Sequence, residues 1–444
     1  MVRDSDELAR EVQGLLADPA RRRTMEDRAR ETVRHHQGTT RRTSAIVEQT
    51  LKERARDGFR RIDFRSAPER WFKDRLLLSR GGIPTAAAAM ILRGLSIVYQ
   101  AWQEIRVAAY SRGLFRSVRL DRPVVSVGNL TLGGTGKTPT VIAICRLLLQ
   151  RGRRPAVLSR GYGGRSTEAV QTVPLDTGIA RNPDALGDGH SRGHILAPMT
   201  MGDEPCLMAE RLPGVPIVVS PNRAAAGRHA LTTYQSDVLV LDDGYQHLRL
   251  QRDLNLLVLD AAQPFGNGFV FPRGMLREAV RQTRRADAVL LTHAGDPAAT
   301  EELQKFIQEY RPGLPIFTSR HRIIGLVPLV AGRPDALETI RRMRVMAVTG
   351  IGRPERFFRS LQEIELEIAA GCAYPDHYRF SKSDLAFLDA EARRLEVGMI
   401  VTTEKDAVRI RSLGLPMDGW RAARMELAID NVGAFESLLF GAVK

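Results

Sequence analysis

The stretch VVSVGNLTLGGTGKTPT, residues 124–140, joins an apolar run to a glycine-rich turn and then to Lys-Thr at the start of a helical pattern. That layout suits phosphate. The free N–H groups and partial positive charge of a helix N-terminus attract an anion. Gly133, Gly134 and Gly136 let the backbone close on it without a Cβ. With Thr135 they form the cradle of a nucleotide loop, in which Lys137 reaches the outer phosphates and Thr138 offers its hydroxyl to magnesium. The usual spacing G-x-x-x-x-G-K-[ST] asks for glycine where this chain has Thr131, which weakens the pattern but not the anion-binding geometry. Two sub-classes are not supported. The residue before the paired glycines is Leu132, not the extra lysine of partitioning ATPases, and TEKD at 403–406 carries its lysine one place too late to read guanine.

A phosphoryl transferase also needs carboxylates for metal and base. DVLVLDDGYQH ends an apolar strand in Asp242 and Asp243, as a magnesium-organising strand tip would. MGDEP sets Asp203 and Glu204 at the start of a helical segment, where local sequence reads first as helix capping. Asp376–His377 in AYPDHYRF reads first as structural. GNGFVFPRGMLRE ends in Arg277 and Glu278, and SRGYGGR (159–165) is a basic loop after a strand; each fits a polyphosphate contact or a solvated turn equally well.

The elements that must position these groups follow from the apolar pattern. Short continuous runs at 124–127, 156–158, 216–219, 237–243, 254–260 and 286–292 alternate with helix-like segments. Unbroken apolar strands imply a sheet covered on both faces, and the alternation implies parallel α/β order. After 314–319 a second set, 344–352 and 398–406, predicts a smaller α/β domain. Residues 4–56 predict charged helices, and RGGIP a linker. In TAAAAMILRGLSIVYQAWQEIRVAAY, residues Ile91, Leu95, Val98, Trp102, Ile105 and Ala109 share one helical face, with Arg93 and Gln103 off it and Arg106 at its flank. The run is too short to span a bilayer. It fits an in-plane helix on a membrane surface or a helix packed on the core.

Net charge is +15, and residues 1–120 hold 25 Lys/Arg against 15 Asp/Glu, a bias suited to an anionic surface. Aromatics are not interleaved with the basic residues, which counts against single-stranded nucleic acid. Cys145, Cys206 and Cys372 lie far apart without a C-x-x-C, so neither a disulfide framework nor a zinc site is expected; a reducing cytosol and no signal peptide fit best.

In order, VSVGNLTLGGTGKTP, LSRGYGG, GDEP, LDDGYQHLRLQRD, FGNGFVFPRGMLRE, PDHY and TTEKDAVR resemble the tetraacyldisaccharide 4′-kinases, the lipid A kinase family of Gram-negative bacteria. The resemblance runs from about residue 82 to the C-terminus, and the family too carries a polar residue at the Thr131 position. It implies a P-loop kinase core hinged to a small α/β domain. It also implies transfer of the γ-phosphate of ATP, with Mg²⁺, to the 4′-hydroxyl of tetraacyldisaccharide 1-phosphate. By the same resemblance Asp203 is the catalytic carboxylate, His377 assists it, Lys137 and Arg277 serve the nucleotide, and Asp242, Asp243 and Glu278 surround magnesium. The amphipathic segment becomes a helix on the cytoplasmic face of the inner membrane. One departure is local: Arg273 and Met275 stand where the family has small and proline residues.

The expected organisation is a helical extension (1–60), a linker (61–82), the membrane-surface helix (83–115), the kinase core (116–320) and the small domain (321–444). The extension is similar to the C-terminal tail of 3-deoxy-manno-octulosonic acid transferases, without that enzyme's donor machinery, and reads as a fusion remnant or the product of a misplaced start. A P-loop ATPase switch and a nucleic-acid or partner-binding module are the rival classes; both leave the downstream series unexplained.

Overall fold

The computed structural model describes residues 59–65, 86–161, 170–173, 201–330 and 332–444. The chain divides into two units, Met1–Arg61 and Ile62–Lys444. The helices expected over 4–56, the RGGIP linker and most of the 159–165 loop lie outside the described residues. The short strand β1 (Arg60–Asp63) occupies the start of the expected linker.

Within the larger unit one sheet carries two lobes. Its strands are β2 (Val124–Gly128), β3 (Pro155–Ser159), β4 (Gln171–Thr172), β5 (Ile217–Val219), β6 (Val238–Asp242), β7 (Leu254–Asp260), β8 (Ala288–Thr292), β9 (Ile316–Pro328), β10 (Arg344–Thr349), β11 (Glu367–Ala373), β12 (Met399–Thr403) and β13 (Trp420–Ile429). They lie in the order β11-β10-β12-β13-β9-β8-β7-β2-β6-β3-β5-β4. Pairing is parallel except at β4–β5 and β9–β13, so the expected α/β class with a mostly parallel sheet is the observed one.

Period-two alternation explains the continuous apolar strands. Val125 and Val127, Val238 and Val240, and Leu256 and Val258 enter one core, whereas Val124, Leu239 and Leu241 enter the opposite one and Leu257 and Leu259 a third cluster on that side. β2, β6 and β7 are buried on both sides, so no polar alternation is left to read in them. The small lobe has its own core around Met346, Val348, Leu388 and Trp420.

The long strand β9 joins the lobes. Ile316–Thr318 pair in parallel with β8, and Ser319 onward pairs antiparallel with β13. The expected boundary at 320/321 therefore falls inside one strand. The last helix, Val432–Ala442, buries Phe435 and Leu439 in the core of the larger lobe, although its sequence follows the small lobe.

Candidate active site

β2 delivers the chain into the glycine loop, and α2 (Lys137–Gln150) leaves it. Gly128 must be glycine because a Cβ there would lie 2.5 Å from the backbone nitrogen of Tyr245. At Gly136 φ is +89°, and a Cβ would press on Thr292 and His321 at 3.1 Å. Inside the loop Asn129 Nδ2 donates to the Thr131 carbonyl (2.8 Å) and to Thr135 Oγ1 (3.0 Å). Thr292 Oγ1 donates to the Thr135 carbonyl (2.8 Å). No side chain caps the first N–H groups of α2, which remain available to phosphate.

The Thr131 departure has a structural account. Thr131 bridges antiparallel to Leu276, Leu132 N donates to the Met275 carbonyl (2.7 Å), and Arg277 N to that of Leu130 (2.6 Å). The position serves as a strand-like pairing site and has no positive φ, so glycine's freedom is not required. The departing residues of the partner segment fit this arrangement: Arg273 stacks on Phe269 at 3.7 Å, and Met275 reaches towards Gly133.

Beside the loop, β6 ends in Asp242, whose Oδ2 accepts from Ser159 Oγ (3.1 Å). Its Oδ1 is buried with no hydrogen-bond partner. Burial, together with the negative charges of Glu204 and Asp243, pushes its carboxyl up to about 7. Asp243, at φ +50°, is held by Arg277 Nη1 on both oxygens (3.0 and 2.8 Å) and lies 3.5 Å from Lys137 Nζ. Burial would raise it, but Lys137 and Arg277 bring it down to about 2. Asp242 is thus a buried acid short of positive charge, and Asp243 a carboxylate already balanced.

Mg²⁺ fits this deficit: it binds through one or two carboxylates and takes its remaining ligands from phosphate and water. One unpartnered carboxylate oxygen beside a glycine loop is a donor set that suits a cation brought with a nucleotide; among the described residues no group of three or more His, Cys, Asp or Glu is placed to hold a metal. Thr138 stands on the first turn of α2 next to Lys137. Glu278, expected with this group, goes elsewhere. It is buried against Arg285, whose guanidinium also covers the Tyr245 ring at 4.5 Å. It shares no hydrogen bond or ion pair with Asp242, Asp243 or Lys137 among the described residues, and burial raises its carboxyl. The preceding residue, Arg277, points to the site while Glu278 supports the wall behind it.

Across the cleft, α3 (Asp203–Arg211) begins at Gly202, whose φ of +94° lets the helix start on the acids themselves. Asp203 is 9% exposed, and its Oδ2 accepts from Arg409 Nε (2.9 Å) and Nη2. His377 Nδ1 is 3.6 Å from that oxygen. Burial would raise the Asp203 carboxyl, but hydrogen bonding from His377 and the charges of Arg409 and Lys405 hold it well below the carboxylate range. Lys405 Nζ donates to Glu204 Oε1 (3.0 Å) and stands 3.3 Å from His377 Nε2. The structure therefore brings Asp203 and His377 together. It adds Arg409 and Lys405, both on α4 (Glu404–Arg411) of the small lobe. Sequence reasoning tested TEKD as a guanine reader and counted TTEKDAVR in the family series, but gave Lys405 and Arg409 no role; the i, i+3 spacing of Asp406 and Arg409 was the available signal.

A second missed cluster closes the lobes behind the loop. Asp260, at the end of β7, accepts from Arg353 (2.6 Å) and from both ends of Arg356 (2.7 and 2.9 Å). His293 stacks on His321 at 4.4 Å beside it; burial lowers the two rings to about 3 and about 4.

α1 (Ala86–Ser111) turns its apolar stripe outward. Ile91, Leu95, Val98, Trp102 and Ile105 are exposed, with Met90 and Ile97 beside them, and Ala109 is buried. The inward face is polar. Ser96 Oγ donates to the Val270 carbonyl (2.7 Å), and Arg106 Nη2 to that of Gln246 (2.9 Å). Among the described residues no helix is long and apolar enough to cross a membrane.

A family model described as Tetraacyldisaccharide-1-P 4′-kinase (LpxK) matches residues 88–444. A tetraacyldisaccharide 4′-kinase of Syntrophus aciditrophicus (strain SB) is 42% identical over 339 residues, covering 74% of this chain and 87% of that protein. One from Anaeromyxobacter dehalogenans (strain 2CP-C) is 40% identical over 342 residues, covering 77% and 85%. Among solved structures, the "apo" form of LpxK from Aquifex aeolicus in complex with ATP aligns with a TM-score of 0.61 at 26% identity, covering 80% of this chain and all of that one. The chain belongs to the tetraacyldisaccharide-1-P 4′-kinase family.

Proposed function

We propose that the protein transfers the γ-phosphate of ATP to the 4′-hydroxyl of tetraacyldisaccharide 1-phosphate, as the names of its relatives suggest. The observation that carries the reading is the facing of two half-sites. The glycine loop, Lys137 and the unpartnered oxygen of Asp242 stand on one side, and Asp203 beside Glu204 on the other. Lys137 and the α2 amides hold the β- and γ-phosphates, and Arg277 fixes Asp243 beside Lys137. Asp242, with Thr138 and Asp243 at hand, would hold Mg²⁺, which would supply charge neutralisation at the phosphate oxygens when bound. The 4′-oxygen attacks the γ-phosphorus in line, the bond to the ADP oxygen breaks, and the hydroxyl proton passes to Asp203. His377, on the small lobe, supports that carboxylate. Catalysis here is mostly placement and charge stabilisation.

The outward apolar face of α1 docks on the anionic cytoplasmic leaflet of the inner membrane, where a lipid acceptor resides, with Arg93, Arg112 and Arg116 exposed for its headgroups. The test is steady-state ADP release with detergent-dispersed acceptor. Acceptor-dependent turnover, with Asp203→Ala lowering kcat far more than the KM for ATP, is the expected result. ADP release indifferent to the acceptor would favour an ATPase switch, and a loss confined to KM would make Asp203 a binding group.

A further inference from the structure

Two N–H groups of one arginine converge on a single oxygen of Asp203, and they come from the other lobe. We propose that Arg409 is a positioning residue for the transfer: it grips Asp203 Oδ2 and thereby aims Oδ1 at the acceptor hydroxyl once the lobes are together. The inference rests on the kinase reading above and adds a residue to it.

Three observations support the assignment. The first is the division of labour on the carboxylate. Nε and Nη2 both address Oδ2, and Oδ1 takes no hydrogen bond among the described residues. A guanidinium presents these donors as a rigid planar fork, so it fixes the carboxylate torsion as a single point charge does not.

The second is how firmly the fork is held. Arg409 Nη1 donates to Asp406 Oδ1 (2.9 Å). Asp406 is fully buried, and its Oδ2 accepts from Thr403 Oγ1 (2.7 Å), Gly350 N (2.9 Å) and Thr349 Oγ1 (3.1 Å). These partners sit at the ends of β10 and β12, so the aim of Arg409 is referred to the small-lobe sheet. The Gly350 carbonyl also accepts from the backbone N–H of His377 (3.1 Å). One peptide segment thus sets the position of both groups that reach Asp203.

The third is redundancy. α3 and α4 are already tied at other positions by Arg411 with Glu210, and by Arg211 with Glu404 at 2.6 and 2.8 Å. Clamping the helices does not require a further pair at Asp203. A misplacement of about 1 Å in a reacting group costs roughly 10²-fold in rate, which is the penalty expected when this fork is lost.

The experiment compares Arg409→Ala, Arg409→Lys and Arg411→Ala in transfer from ATP to tetraacyldisaccharide 1-phosphate, with thermal unfolding measured in parallel. Arg409→Ala should lose roughly 10²-fold in kcat with the KM for ATP near wild type. Guanidinium at non-denaturing concentration should restore part of that loss, and methylammonium should not. Arg409→Lys keeps the charge but not the fork, and should lose at least about tenfold while remaining folded. Arg411→Ala should lower stability and leave kcat unchanged. Full activity of Arg409→Lys, or a loss in Arg409→Ala that guanidinium does not reverse, would overturn the proposal. Failure of the wild-type enzyme to phosphorylate the acceptor would instead remove the kinase reading beneath it.

Discussion

Replacing Asp260 with Asn should loosen the small lobe and, through it, the nucleotide loop. Asp260 is 2% exposed and receives three charge-assisted hydrogen bonds from Arg353 and Arg356, whose side chains are about a quarter exposed. Removing one member of a buried pair costs about 3–5 kcal/mol. Asparagine keeps one carbonyl acceptor, and water reaches the arginine heads, so we expect about 2–3 kcal/mol. Burial works to raise the Asp260 carboxyl, but hydrogen bonding from Arg356 and the charge of Arg353 hold it below the usual aspartate value. The sign of the pH dependence follows: a depressed carboxylate stabilises fully above the unfolded value, about 4, and the contribution disappears as pH falls through the lower folded value. Equilibrium urea unfolding of wild type and Asp260→Asn should show a constant gap from about pH 7 to pH 5 that narrows below about pH 4. Asp260 also pairs in register with Thr292, whose hydroxyl holds the Thr135 carbonyl, so the KM for ATP should rise in the same variant. A gap below about 0.5 kcal/mol at neutral pH, the range of an ordinary surface substitution, would refute the latch, as would a gap that does not narrow in acid.

Other perturbations reach the remaining parts of the account. Lys137→Ala should reduce turnover roughly 10²–10³-fold, the usual penalty for losing one preorganised donor; a smaller effect in single-turnover assays would move Lys137 out of the reacting centre. Gly350→Ala should disturb both Asp406 and the His377 segment, because a Cβ would stand 3.2 Å from Asp406 Oδ1, the Pro375 carbonyl and Tyr378; unchanged kcat would show that the segment gives way easily. Trp102→Glu with Ile105→Glu should abolish binding to anionic vesicles without lowering thermal stability, since both side chains are more than half exposed. Charge reversal at Arg93, Arg112 and Arg116 should weaken that binding by about 1 kcal/mol per residue and remove its salt dependence; indifference in a flotation assay would argue against docking.

The kinase lobe was legible because its strands are buried on both faces and its loop chemistry is local: strand, glycines, Lys137 and Thr138 are contiguous. β9 and β13 were harder. Arg320, Arg322, Arg421, Arg424 and Glu426 interrupt their apolar residues, because this antiparallel ribbon leaves part of its surface open. For α1 the stripe was visible but not which side faced the protein. Ser96 and Arg106 decide that by finding carbonyl partners, which a helical pattern does not encode. The partners of Asp203 and Asp260 were out of reach for a different reason. Arg409 is 206 residues from Asp203, and Arg353 is 93 from Asp260, so only the closing of one lobe on the other joins them. Glu278 was grouped with the metal through the family resemblance, whereas in the structure it is buried against Arg285, a partner that the sequence pattern does not encode.

The central claim is tested most directly by incubating the enzyme with Mg²⁺, γ-labelled ATP and tetraacyldisaccharide 1-phosphate and locating the label on the product. Label on the distal sugar at the 4′ position, absent with Lys137→Ala and Asp203→Ala, is the predicted result. Label released only as inorganic phosphate, or attached at another hydroxyl, would contradict the account.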